Sequence, residues 1–363
     1  MGELGKGLNR KEVTRMMDGI TRRGLIGGGA GLAALAAFAG LRPGVTAAEA
    51  LNNLGILPDD LPAKKFRAVT VEVFFGSTWV SHGVETAKFV GSLLGVEVES
   101  LDGQNKPAVQ LEAMQTVSTE EWDFVAVHPA ASDTLKDPAD VIIGKGTPLI
   151  VMDTRLVQDP AAFAEYGHLT FLEPDNVYMG ATVATELMKA IGGKGEVIHT
   201  RGQLGHTGSQ GRYEGFNQVV ANYPEVKVVD ETPGNWDPAE TANLWQDLLQ
   251  RYPNVVGGFF HSDDMALAAS EVVNAAGLRD QVKIVGVDGL KNACEAILDG
   301  RLTASVINPS GRIHGGAIWA GYLTKSGTDN AQGGVPKFIR TDGGPITKEN
   351  AAGYIWLHDN FQY

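Results

Sequence analysis

Cysteine is almost absent: Cys294 is the only one in 363 residues. One thiol permits neither an internal disulfide nor a cysteine-based metal cluster. It falls in "KNACEAILDG" (291–300), a helical stretch, and reads as a small buried apolar residue. Long apolar runs are scarce as well. The one run that invites comparison with a membrane span, Gly24 to Gly40, is nearly all Gly and Ala with a few Leu. It falls short of the roughly 20 strongly apolar residues a span needs. Positive charge is in deficit, with 30 Lys+Arg against 43 Asp+Glu and a net charge of −13. Seven basic and three acidic residues lie within 1–47, a surplus of four positive charges that leaves the remainder near −17. Such a surface repels phosphate backbones and anionic lipids, so nucleic acid is excluded as a partner.

Several motifs are also missing. No G-x-x-x-x-G-K-[ST] phosphate loop occurs, and "GQLGHTG" (202–208) does not match the dinucleotide-binding spacing. There is no nucleophile elbow, no serine–histidine–acid arrangement on recognisable nucleophile turns, and no D-x-[DN]-x-[DN]-G calcium run. His and Asp do not recur at close ligand spacing. The sequence therefore predicts no catalytic residue, no cofactor and no metal.

What is present begins with an export signal. "TRRGLIGGGAGLAALAAFAG" (21–40) sets the paired arginines Arg22 and Arg23 before a weakly apolar run, followed by Arg42, Pro43 and "VTAAEA" (45–50). That is the layout of a cleaved signal of twin-arginine type, residues 1–50, cut after Ala47 or Ala50. A soluble mature protein in the periplasm or extracytoplasmic space is expected. About 310 mature residues exceed what one core usually serves, which predicts two domains.

From Phe66 onward, short β-rich runs alternate with helical stretches. "AVTVEVFF" (68–75), "VEVESL" (96–101), "FVAVHP" (124–129) and "PLIVMD" (148–153) form one series. "GEVIHT" (195–200), "VKVVDE" (226–231), "VVGGFFHS" (255–262) and "VKIVGVDG" (282–289) form a second. Helices such as "GVETAKFVGSLLG" (83–95) and "GRYEGFNQVVANY" (211–223) lie between. Apolar runs with little polar alternation suit parallel strands covered on both faces and joined by right-handed helical crossovers. Two such series argue for an α/β protein of two doubly wound lobes.

Ligands of such sheets bind beyond the carboxyl ends of the strands. The residues there include Ser77, Trp79, His128, Asp153, Arg155, Trp236, Ser262, Asp263, Asp288 and, after "LTASVI", Asn308. The set is rich in carboxylate, aromatic, amide and hydroxyl groups. Asp263 and Asp264 are adjacent at a strand-to-helix join, so they point in different directions and make an awkward acid/base pair. Capping alone is one reading, since acids suit a helix N-terminus. Capping by one with ligand contact by the other is the second. Trp79 and Trp236 sit in polar loops, where an indole is either core filler or a face for sugar C–H groups. Arg212 reads as the start of a helix, an unfavourable end for a cation; it is a forked donor to a ligand or a solvated surface residue. His206 reads as a loop histidine without function, or as a ligand donor.

Seven segments occur in a telling order: "LDGQNKPAVQLEAMQ", "PLIVMD", "EPDNVYMG", "GRYEGF", "FFHSDDMAL", "VGVDG" and "DGRLTASV". Over about residues 66–340 the chain resembles the ribose-type periplasmic sugar-binding proteins of ABC importers, relatives of LacI-type effector domains. The resemblance implies the type I periplasmic-binding-protein fold, two lobes joined by three crossover strands with a ligand cleft between. The crossovers are expected near Leu172, Asn308 and Pro336. The N-terminal lobe is then 66–172 plus 309–335, and the C-terminal lobe 173–308 plus 336–363.

The resemblance also implies roles. Asp153, Arg212 and Asp288 match the family's charged sugar-binding residues, Trp79 falls where an aromatic stacks on the ring, and Trp236 replaces another. Ser77, His128 and Ser262 stand where ribose-binding members carry asparagine, Val80 where they carry phenylalanine, and Asn308 where they carry glutamine. Thr154 takes the place of an arginine, with Arg155 next. These departures leave a pentose, deoxyhexose, hexose or sugar alcohol as candidate ligands. The expected function is capture of a monosaccharide or sugar alcohol by a monomeric receptor and delivery to a membrane permease. Delivery to a chemotaxis or sensor-kinase system is one alternative, and an exported glycoside-acting hydrolase is another.

Overall fold

The computed structural model describes residues 66–328 and 334–360; the export signal and both cleavage positions lie outside them. The first lobe opens with β1 (Phe66–Glu72), α1 (Thr78–Leu94), β2 (Val96–Asp102), α2 (Pro107–Thr119) and β3 (Phe124–Val127). It continues with α3 (Lys136–Gly144), β4 (Leu149–Met152), the short α4 (Pro160–Ala164) and β5 (Thr170–Glu173). These strands pair in parallel in the order β2-β1-β3-β4-β5. Every residue of β3 ("FVAV") and β4 ("LIVM") is buried, because helices cover both faces of the sheet.

The second lobe contains α5 (Asn176–Ala190), β6 (Lys194–Thr200), α6 (Thr207–Val220), β7 (Glu225–Asp230) and α7 (Pro238–Arg251). It continues through β8 (Val255–Phe260), α8 (Asp263–Ala275), β9 (Lys283–Val285), α9 (Lys291–Asp299) and β10 (Ser305–Val306). Its parallel sheet runs β7-β6-β8-β9. Among the described residues no helix is long and apolar enough to cross a membrane.

The chain then returns to the first lobe. α10 (Ser310–Ser326) packs along α1, and β11 (Phe338–Arg340) adds to the first sheet beside β5. It passes back once more, as β12 (Pro345–Ile346) pairs antiparallel with β10 and α11 (Ala351–Asn360) packs on α9. The expected division at Pro336 therefore comes too early. β11 belongs to the first sheet, because its backbone completes the edge that β5 would leave open. The last passage between lobes falls between β11 and β12.

Two helices start earlier than their apolar periodicity suggests, each because a polar residue caps them. Ser77 Oγ accepts from Val80 N and opens α1 at Thr78; His206 Nδ1 accepts from Gly208 N and opens α6 at Thr207. Arg212 is thus in the second turn of α6, not at its start.

Candidate functional site

The strand ends of both lobes face one cleft. Between them lies a cavity with an empty volume of about 470 Å³, part of it continuous with solvent. Ser77, Trp79, His128, Asp153, Arg212, Trp236, Ser262, Asp288 and Asn308 line it, nine of the twelve residues expected there. Val73, Phe74, Val80 and His206 line it as well. His206, read from sequence as a loop residue, is buried, because the second lobe presses its loop against the first.

Three expected residues stand off the cavity lining. Thr154 is fully buried with its hydroxyl 2.7 Å from His206 Nε2, so it braces a wall residue. Arg155 bridges the lobes through its backbone, its N–H donating to Thr207 Oγ1 at 3.2 Å. Asp263 turns into the second lobe, where its carboxylate accepts from Ser305 Oγ at 2.7 and 2.9 Å and from Leu290 N at 2.9 Å. The cap of α8 is Ser262, whose hydroxyl accepts from Met265 N. Asp264 neither caps nor faces the cavity. It crosses to the other lobe and accepts from Thr78 N and Thr78 Oγ1, both at 2.8 Å.

In the first-lobe wall, Trp79 is 5 % exposed, and its indole N–H donates to Asn308 O at 2.8 Å. It lies edge-on to His128. Gln110 clamps the loop that carries His128, donating to His128 O at 2.7 Å and accepting from Ala130 N at 2.8 Å. His128 lies between two carboxylates, with Nε2 3.6 Å from Asp153 Oδ2 and Nδ1 3.5 Å from Glu72 Oε2. Burial works against its charge, yet Asp153 and Glu72 lift it to about 9. Burial likewise opposes ionisation of Asp153, but His128, His206 and Arg212 together hold its carboxyl well below the usual carboxylate range. His206 is pushed down to about 3 by burial, against the pull of Asp153.

In the second-lobe wall, Arg212 is fixed by neutral partners. Its Nε donates to Asn176 Oδ1 at 3.0 Å and its NH1 to His261 O. The guanidinium lies over the Trp236 ring, 5.3 Å from its centroid. Gly202 makes room for that indole, since a Cβ there would fall 2.1 Å from the ring. Asp288 Oδ1 accepts from Asn308 Nδ2 at 3.2 Å. Burial raises Asp288 well above the usual range, against the pull of Arg212.

Asp153, Trp236 and Asp288 have positive φ, at 55°, 62° and 132°. Backbone of this kind costs about 1–3 kcal/mol per residue and gathers at functional sites. The surrounding sheets hold it in place: Asp153 N donates to Leu172 O and Asp288 N to Val306 O. Asp153 Oδ1 and Asn308 Oδ1 are buried without any hydrogen-bond partner among the described residues. The wall thus offers fixed, desolvated acceptors and an aromatic-backed cation to whatever occupies the cavity.

Comparison with known proteins agrees with this architecture. The chain is 27 % identical over 261 residues to the xylitol-binding protein of Mycolicibacterium smegmatis, covering 71 % of this chain and 72 % of the relative. It is 27 % identical over 248 residues to the D-allose-binding periplasmic protein of Escherichia coli, covering 67 % and 79 %. In three dimensions it matches a solute-binding protein of an ABC transporter from Mycobacterium smegmatis, solved with glycerol. The TM-score is 0.72 at 24 % identity, over 80 % of this chain and 96 % of the other. Residues 68–328 match the family model described as the periplasmic binding protein domain, so this chain belongs to the periplasmic binding proteins.

Proposed function

We propose that this protein captures a monosaccharide or sugar alcohol between its lobes and delivers it to the permease of an ABC importer. The observation that carries the reading is the pair of buried, unpartnered acceptors Asp153 Oδ1 and Asn308 Oδ1 in an aromatic-flanked cavity. A buried acceptor without a donor costs about 1–3 kcal/mol, and hydroxyl groups supply the missing donors. Relatives named for xylitol and D-allose support the same class of ligand. On this reading Asp153 and Asp288 take hydrogen bonds from hydroxyls, Arg212 donates to ring or hydroxyl oxygens, and Trp79 and Trp236 cover the apolar faces. Ser77, His128, Ser262 and Asn308 complete the ring of polar contacts. Binding makes and breaks no covalent bond, so the protein acts as a receptor, not an enzyme. It works as a monomer that closes about its crossovers, in the space to which a twin-arginine signal at Arg22 and Arg23 exports it.

The test is a thermal-shift screen of residues 51–363 against pentoses, hexoses, deoxy sugars, polyols and amino acids at millimolar concentration. A ligand of micromolar dissociation constant stabilises the folded state by about 4 kcal/mol at a thousandfold excess. That moves the midpoint by several degrees, at roughly 2–4 °C per kcal/mol for chains of ordinary domain size. A sugar or polyol hit is expected. A verified folded sample that responds to none of them, or that consumes a glycoside, would sink the proposal.

A further inference from the structure

Behind the first-lobe wall, three side chains far apart in sequence converge, with only one contact of hydrogen-bond length among them, a long one of 3.3 Å between His314 Nε2 and Glu72 Oε2. Glu72 ends β1, His128 follows β3, and His314 lies on α10. Glu72 and His314 are fully buried and His128 nearly so. Glu72 Oε2 is 3.3 Å from His314 Nε2 and 3.5 Å from His128 Nδ1, and all three atoms lie within 4.8 Å of one another. A charge-assisted N–H···O contact closes to about 2.7–2.9 Å, so these separations are too long for tight ion pairs. They are what two ligand atoms roughly 2.0–2.2 Å from a shared zinc-class ion show at tetrahedral angles, about 3.3–3.6 Å. Among the described residues Glu72 Oε1 and His128 Nδ1 have no hydrogen-bond partner despite their burial.

The geometry points to a divalent transition-metal site formed by Glu72, His128 and His314 beneath the Trp79 floor of the cleft. The surrounding groups orient each ligand correctly. His314 Nδ1 lies 2.9 Å from Ser310 O, and a carbonyl only accepts, so Nδ1 carries the proton and Nε2 presents its lone pair toward Glu72. His128 turns Nε2 toward the Asp153 carboxylate at 3.6 Å, leaving Nδ1 as its ligand atom. Gly83 on α1 is what lets His314 sit there, since a Cβ would lie 2.1 Å from its Nδ1. The neighbouring triad of His128, Asp153 and His206 has similar spacing. It fails as a metal site on tautomer grounds. His206 Nδ1 accepts from Gly208 N, so its Nε2 keeps the proton and cannot ligate. The sequence could not show the Glu72 site, because 72, 128 and 314 have no ligand spacing. An ion there displaces protons from the rings and ties β1 and β3 to the helix that enters from the crossover at Asn308.

The test uses exported protein purified without metal-affinity steps, stripped with chelator and titrated with zinc in the absence of any sugar. One zinc per chain and a rise in midpoint of several degrees are expected. E72Q and H314Q should lose both, while H206Q should keep them. Absence of zinc uptake by the wild type, or a zinc-dependent shift that survives in both E72Q and H314Q, overturns the site. Should those variants fail to fold, cobalt added to the wild type decides: intense visible bands of a four-coordinate ion support the site, and the weak spectrum of aqueous cobalt refutes it. Neither readout involves a sugar, so a negative result leaves ligand capture standing.

Discussion

The two walls of the cleft are built on the same plan, yet they hold their charges in opposite ways. The first-lobe wall sets charge against charge: Asp153, His128 and Glu72 form a buried series spaced 3.5–3.6 Å apart. The second-lobe wall holds Arg212 by the Asn176 amide oxygen and the His261 carbonyl, both neutral. Charges matched to one another are committed before a ligand arrives. A cation held by neutral groups keeps its charge for the ligand. The first wall thus has its charges largely matched to one another, with Asp153 Oδ1 still open to a ligand, while the second presents a cation held only by neutral groups.

The sharpest way to break this contrast is to remove one charge from each wall. Asp153→Ala leaves the buried His128 charge with Glu72 alone, 3.5 Å from its Nδ1, and losing one partner of a buried charge cluster costs up to about 3–5 kcal/mol. Its midpoint should fall steeply even without ligand. Arg212→Ala should leave the fold less affected but weaken sugar or polyol binding by about 2–5 kcal/mol, roughly 30- to 5000-fold. Chemical denaturation and calorimetric titration of both variants give the comparison. Equal stability losses in the two would erase the distinction between the walls.

A second contrast lies within the second lobe, between Arg212 with its neutral partners and Asp263. Asp263 is raised to about 7, chiefly by burial, although Ser305 and Leu290 donate to it. With a folded value above the ordinary aspartate value of about 3.9, the folded protein binds a proton there that the unfolded chain has released. Stability from this group is therefore full near pH 4, falls as pH rises toward 7, and is flat above. Its slope approaches about 1.4 kcal/mol per pH unit at most. Asp263→Asn should remove that slope, read as the difference between variant and wild-type urea unfolding from pH 4.5 to 8. Parallel curves would show that Asp263 stays ionised and that its three hydrogen bonds outweigh burial.

The alternation of strands and helices was legible because both sheets are covered on two faces, which forces continuous apolar runs such as "PLIVMD" and "VVGGFF". The cavity-lining residues were legible for a related reason, since the carboxyl ends of parallel strands converge on one cleft. β5 and β11 were expected only through the resemblance, as crossover strands near Leu172 and Pro336, and not from composition. Each is only three or four residues long, and edge pairing rather than composition decides their state. The partners of His206 and Asp264 were not legible, because they come from the other lobe. Asp264 and Thr78 are 186 residues apart, and no local pattern carries such a contact. His314 gave no signal at all, lying in a helix whose small residues speak only of close packing.

The smallest expected effect concerns that interlobe contact. Asp264 receives both the backbone N–H and the hydroxyl of Thr78 at the N-terminus of α1, a position where the helix dipole favours an anion. The pair bridges the cleft at its rim, and its partial solvent exposure limits its worth to about 0.5–1.5 kcal/mol. The contact exists only while the lobes are together, so its loss should favour the open form and leave each lobe intact. Asp264→Ala should then weaken ligand binding about two- to twelvefold through faster dissociation, with an unchanged midpoint for the ligand-free protein. Combining it with Thr78→Val should add little, because the hydroxyl has already lost its acceptor. Additive losses, or a drop in ligand-free stability, would mean that Asp264 serves α8 within its own lobe and that the rim contact is incidental to closure.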